Sequence, residues 1–180
     1  MNTTLVNWML VLFVSFSWGA SFMFTRLAVD EIAPTYLVVT RLFLASILLG
    51  PIFIRKKDLI LMSKEIPSIL ILGIINAALP FFLFAYAAQD LSAGMLSILN
   101  GTSPLFALII AITWFRQNTT LMQILGLGLG FLGLMVFIGT DQISLIFYPV
   151  LLCLIGAFCY AYSNNIPVSY THLTLPTSRS

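Results

Sequence analysis

Residues 66–88 read IPSILILGIINAALPFFLFAYAA, with no charged side chain among them. At about 1.5 Å per residue a helix of this length reaches about 33 Å, enough to cross a hydrocarbon layer of roughly 30 Å. Asn76 and Pro80 fall near its middle. A soluble protein could bury one such helix, but this chain lacks the polar surface to do so. Hydrophobic residues make up 60% of it, charged residues 8%, and the mean hydropathy is +1.06, whereas soluble domains carry about 25% charged residues. Those proportions exclude a soluble globular enzyme and a disordered chain. The net charge of +2 is too small for a nucleic-acid partner. The expectation is an all-α membrane protein whose main partner is the lipid bilayer.

Working outward from 66–88, five more apolar runs of spanning length appear. They lie at about Leu5–Thr25, Thr35–Ile54, Ala93–Phe115, Leu121–Ile138 and Ile143–Ile166, which predicts about six transmembrane helices. The first has no Lys or Arg ahead of it and five spans follow it, so it reads as a span and not as a cleaved signal peptide. Basic residues collect on alternate connections: Arg55, Lys56, Lys57 and Lys64 between spans two and three, and Arg116 between four and five. Arg26 is the exception. The positive-inside rule then places the N-terminus in the cytoplasm of a multi-pass cell-membrane protein.

All six acids fall in connections or at helix ends. A proton relay or a membrane-embedded catalyst normally needs an ionisable group inside the bilayer, and the one charge inside a span is Arg41. Either it faces a cavity that receives an anionic or polar group, or its stem carries the guanidinium out to the headgroups. Asn76 precedes Pro80 by four residues and Asn100 precedes Pro104 by four. Proline has no N–H, so each break frees the carbonyl four residues earlier; either the pair are kinks that only shape packing, or they are broken helices near the midplane of the kind with which many transporters build solute sites. Ser17, Ser21 and Thr25 form one stripe beside Trp18 in span one, open to helix packing or to solute contact. In span five, Gly126, Gly130 and Gly133 mark a face for close helix packing, either within the chain or across a homodimer. Cys153 and Cys159 read as small buried hydrophobes. No cofactor or metal site is read anywhere, and no enzyme: residues 1–166 hold no histidine and no central acid to serve as a base.

Span one contains Phe16-Ser17-Trp18-Gly19-Ala20-Ser21, and span six contains Phe158-Cys159-Tyr160-Ala161-Tyr162-Ser163. Both read aromatic, small, aromatic, small, any, Ser. Five spans separate them, an odd number, so the second copy would sit inverted in the membrane. The tail, residues 167–180, breaks the composition and offers no helix-compatible stretch. It resembles translated sequencing-adapter read-through and is set aside as a non-native tail, together with His172, the sole histidine.

With these residues in view, the chain resembles the EamA family of the drug/metabolite transporter superfamily. Trp18-Gly19 and Arg26, Pro34 and Arg41, Ser92-Ala93 and Pro104, then Gln123, Gly126 and Gly133 carry the likeness in order over about residues 5–166. The resemblance implies ten helices in two inverted five-helix repeats and alternating-access movement of small metabolites. Residues 1–139 would then be a first EamA repeat, residues 140–166 the opening helix of the second, and the chain a truncated transporter. One departure is Gln117, where the family often has Glu. Span one also lacks the membrane-embedded Glu of the related small multidrug pumps.

The function expected is a permease or exporter of small molecules such as amino acids, with Trp18, Ser21, Arg41, Asn76 and Asn100 near a midplane site and Pro80 and Pro104 as helix breaks. The alternatives are a non-transporting helical scaffold or receptor-like protein and, more remotely, a membrane-embedded enzyme.

Overall fold

A computed structural model describes residues 3–53, 66–116, 119–138 and 143–174. The charged connection at Arg55–Asp58, Lys64 and Glu65, the Gln117 departure, Asp141, and the side chain of His172 lie outside the described residues.

Every described element is helical. Helix α1 covers Thr3–Ala28 and α2 covers Pro34–Phe53. The third span comprises α3 (Ile66–Gly73), a π-helical segment (Ile74–Ala78) and α4 (Leu79–Ala87). The fourth is divided into α5 (Ala93–Asn100) and α6 (Ser103–Thr113). Helix α7 covers Leu121–Ile138 and α8 covers Ile143–Thr174. Among the described residues five spans are long and apolar enough to cross a membrane; Leu121–Val136 is a shorter apolar helix. As a helix, residues 121–138 reach only about 27 Å, slightly under the layer's thickness, and residues 139–142 beyond them lie outside the description.

Local chemistry explains the starts of these helices. Pro34 opens α2, where its missing N–H leaves no bond unmade. The Ser92 hydroxyl accepts from the Met95 N–H at 3.2 Å and caps α5. Ahead of α7, the Thr120 N–H donates to Gln123 Oε1 at 2.8 Å while the Gln123 N–H donates to Thr120 Oγ1 at 3.3 Å, a reciprocal capping box. At the end of α1, Arg26 pairs with Asp30 at 2.6 Å, so the basic residue that breaks the loop pattern is neutralised in place.

Helix α8 is the centre of the bundle. It packs on α4 and α6 and also touches α5 and the π-helical segment, while α1 lies on α5 and α2 on α4. Of its spanning window 44% is buried, against 6% for α1. Apolar side chains gain little by leaving lipid for protein, so helices here associate through close packing of small residues. Small residues are buried on both sides of this packing, Cys153, Ala157 and Ala161 on α8 and Ala85, Ala87 and Ala88 at the end of the third span. At Gly156 an added Cβ would stand 2.9 Å from Phe84 and 3.7 Å from the Pro80 Cα. Both cysteines are free and buried.

The packing glycines of the fifth span separate. An added Cβ at Gly130 would meet Leu105 at 2.8 Å, whereas none at Gly126 or Gly133 would meet anything within 4 Å. Gly130 therefore seats α7 on α6. The end of the sixth span also differs from expectation. Residues 167–174 continue α8 as helix, where the sequence offered no helix-compatible stretch. A proline removes one rung of the ladder, and helices at membrane depth tolerate that loss.

Candidate functional site

The two prolines break their spans in different ways. In a regular helix the Asn76 carbonyl would accept from residue 80, and Pro80 has nothing to donate. The ladder widens instead to i→i+5 across Ile74–Ala78, with the Leu79 N–H on the Ile74 carbonyl. This π-bulge carries Asn76 at its middle, and such bulges recur at functional sites. From α8 the Ser163 hydroxyl donates to Asn76 Oδ1 at 2.7 Å. Ser163 itself is only 3% exposed.

In the fourth span the helix stops at Asn100, turns through Gly101 and Thr102, and restarts at Ser103. The Asn100 carbonyl, which Pro104 deprives of a donor, accepts the Ser103 hydroxyl at 2.7 Å. The Leu99 carbonyl takes the Thr102 hydroxyl at 2.6 Å. The carbonyl freed by Pro104 is thus re-satisfied locally. What remains without a partner is a side-chain atom. Asn100 Oδ1 is buried and makes no hydrogen bond among the described residues. An orphaned buried acceptor costs about 1–3 kcal/mol.

These breaks border one cavity of about 560 Å³, lined by Trp18, Asn76, Phe81, Asn100, Ser103, Pro104, Tyr160 and Asn164. Three of the five expected residues, Trp18, Asn76 and Asn100, therefore come together. The walls offer amides for hydrogen bonding and the faces of three aromatic rings. Tyr160 and Asn164 were not singled out as site residues. The signal for Tyr160 was the repeated motif, which aligns it with Trp18; the structure places both on this cavity. Pro80 lies outside it, fully buried.

Ser21 and Arg41 face a neighbouring cavity of about 300 Å³, with Trp18 and Phe81 lining both. The Arg41 guanidinium donates to Ser21 Oγ at 2.8 Å and lies over the Phe81 ring, 4.4 Å from its centroid. Ser21 is seven residues from the end of α1 at Ala28, and Arg41 seven from the start of α2 at Pro34. The guanidinium is therefore held about 10 Å inside the bundle end, level with Ser21. The hydroxyls beside it divide by role. Ser17 and Thr25 donate to the carbonyls four residues back, leaving Ser21 for the arginine.

Long apolar helices gathered around a broken-helix cavity are the build of a polytopic membrane protein. The sequence pattern of the EamA-like transporter family matches residues 7–139, and the chain belongs to that family. Among its relatives, Protein PagO of Salmonella typhimurium is 29% identical over 66% of this chain and 39% of its own length. An uncharacterized transporter of Archaeoglobus fulgidus is 21% identical over 96% of this chain and 62% of its own. A protein of Chlamydia trachomatis named as an S-adenosylmethionine/S-adenosylhomocysteine transporter is 27% identical over 75% of this chain and 42% of its own. The chain thus spans less than two thirds of the length of these relatives. No solved structure matches it at a significant level.

Proposed function

We propose that the cavity between the π-bulge, the broken fourth span and α8 is the solute site of a small-metabolite permease working by alternating access. The orphaned Asn100 Oδ1 carries this reading. A packing kink needs no amide, and leucine would fill the place without the cost of an unmade bond. The oxygen is sealed from the cavity in this state, and a solute with an N–H group supplies the missing donor once the half-helices tilt to uncover it. In this reading Trp18, Asn76 and Asn100 bind solute, together with Tyr160 and Asn164, while Ser21 and Arg41 belong to the adjoining chamber.

Amino acids and compounds derived from them fit the combination of amides and aromatic walls. The Chlamydia relative named for S-adenosylmethionine, itself an amino-acid derivative, supports that class. The wider proposal is a protein of two inverted five-helix repeats in the cytoplasmic membrane, to which this chain contributes residues 1–139 as the first and 140–166 as the start of the second. The N-terminus is cytoplasmic. The π-bulge and the Gly101–Thr102 turn lack regular rungs, so they are the points about which the half-helices can tilt to open one side or the other.

The test is flux. The protein expressed from its uninterrupted reading frame is reconstituted in vesicles with labelled amino acids or S-adenosylmethionine. Asn100→Leu should lower uptake at least about tenfold, the scale of one hydrogen bond of roughly 1.5 kcal/mol, while insertion is unchanged. Undiminished flux would remove Asn100 from the site, and no flux of any such solute by folded protein would end the transport reading.

A further inference from the structure

The geometry points to the Arg41 chamber as a binding site of its own, for a single-chain amphiphile with one carboxylate head. It goes beyond the transport reading and does not depend on it.

The chamber holds one full charge. One Arg41 N–H is taken by Ser21 Oγ, and the guanidinium has further donors in a planar fork that matches a carboxylate in two-point fashion. It lies over the Phe81 ring, 4.4 Å from its centroid. No acid lines the cavity to take the remaining donors. An entering anion would supply what is missing. No second cation is present in the lining, so a monoanion matches the charge better than a phosphate dianion.

The rest of the chamber selects the body of the ligand. Apart from Arg41, Ser17, Ser21 and Thr25 its lining is apolar, including Phe13, Val14, Phe22 and Val38. Phe13 lies eight residues before Ser21 on α1, so the slot runs about 12 Å deeper than the guanidinium. Phe13 and Val14 are 69% and 54% exposed and leave the far end of the slot open. A ligand lies with its head on Arg41 and its tail along α1 toward Phe13.

The test uses 5-bromoundecanoate, whose bromine quenches indole fluorescence on contact and would sit near Trp18, three residues or about 4.5 Å along α1 from Ser21. The full chain is placed in nanodiscs in a Trp8→Phe/Trp114→Phe background, so that Trp18, on the chamber wall, is the sole reporter. The expected result is saturable quenching by the acid and at least about tenfold weaker binding of the matching alcohol, as loss of a charge-assisted bond predicts. Arg41→Gln should weaken the acid by a similar factor, with Arg41→Lys recovering part of it. Equal quenching by acid and alcohol, or quenching that never saturates, would overturn the proposal, as would Arg41→Gln binding like the parent. Tighter binding of the matching alkyl phosphate would overturn the carboxylate assignment. The comparison of acid with alcohol needs no Arg41 variant, so it decides the matter even if Arg41→Gln misfolds. Because the readout is binding, a failure here leaves the flux result untouched.

Discussion

At the scale of single residues, much of the structure rests on polar or small groups in places where lipid-like side chains would do. Gly156 lets α8 approach the Pro80 backbone and the Phe84 ring. Gly156→Ala should therefore destabilise the folded protein by about 1–3 kcal/mol, as overpacking does, read as a lower Tm in detergent. The same change at Gly126, which faces open space, should be neutral or stabilising by up to about 1 kcal/mol. Matching losses at the two sites would show that the Phe84 contact is not what matters. The sequence announced which residues were unusual but not which way they face. Helices that are apolar all round carry no periodic signal of their buried side. Trp18, Asn76 and Asn100 could be picked by residue type, whereas Tyr160 and Asn164 needed the packing of α8. Nor did residue type say that Arg41 and Ser21 share a chamber separate from the amides.

At the scale of elements, the boundaries were legible because hydrophobic length and proline position set them. The described helices begin and end within a few residues of the expected runs, with α8 the exception. Both breaks were also legible, since a proline must leave a carbonyl unpaired. How each break resolves was not. One span inserted a residue into its ladder, and the other found the Ser103 hydroxyl nearby. The capping box at Thr120 and Gln123 was readable as a T-x-x-Q pattern ahead of an apolar run, but it went unnoticed beside the glycines. The π-bulge has a testable cause. Pro80→Ala restores the donor, so the third span should relax to a regular helix and rotate Asn76 away from Ser163. In a Cys153→Ala/Cys159→Ala background, an Asn76→Cys/Ser163→Cys pair should cross-link readily with Pro80 present and several-fold less with Pro80→Ala. Equal cross-linking would mean that the bulge is held by packing on α8.

For the whole molecule, the composition decided the class, and the order of loosely spaced motifs carried the family. The arrangement around α8 was not legible, because it depends on which small residues meet across helices. The proposed orientation has its own check. In a background lacking Cys153 and Cys159, Asp90→Cys should react with a membrane-impermeant thiol reagent in intact cells, while Lys57→Cys reacts only after the cells are opened. The reverse pattern would invert the topology.

The position of α8 has a consequence for how the protein is made. Synthesis delivers the earlier helices to the bilayer before the helix they gather around exists. Until it arrives, the Phe84 ring has no Gly156 to lie against, and Asn76 has no hydroxyl to greet it. Insertion and assembly are therefore separate events in this chain, and the interval between them is when it is most exposed to quality control.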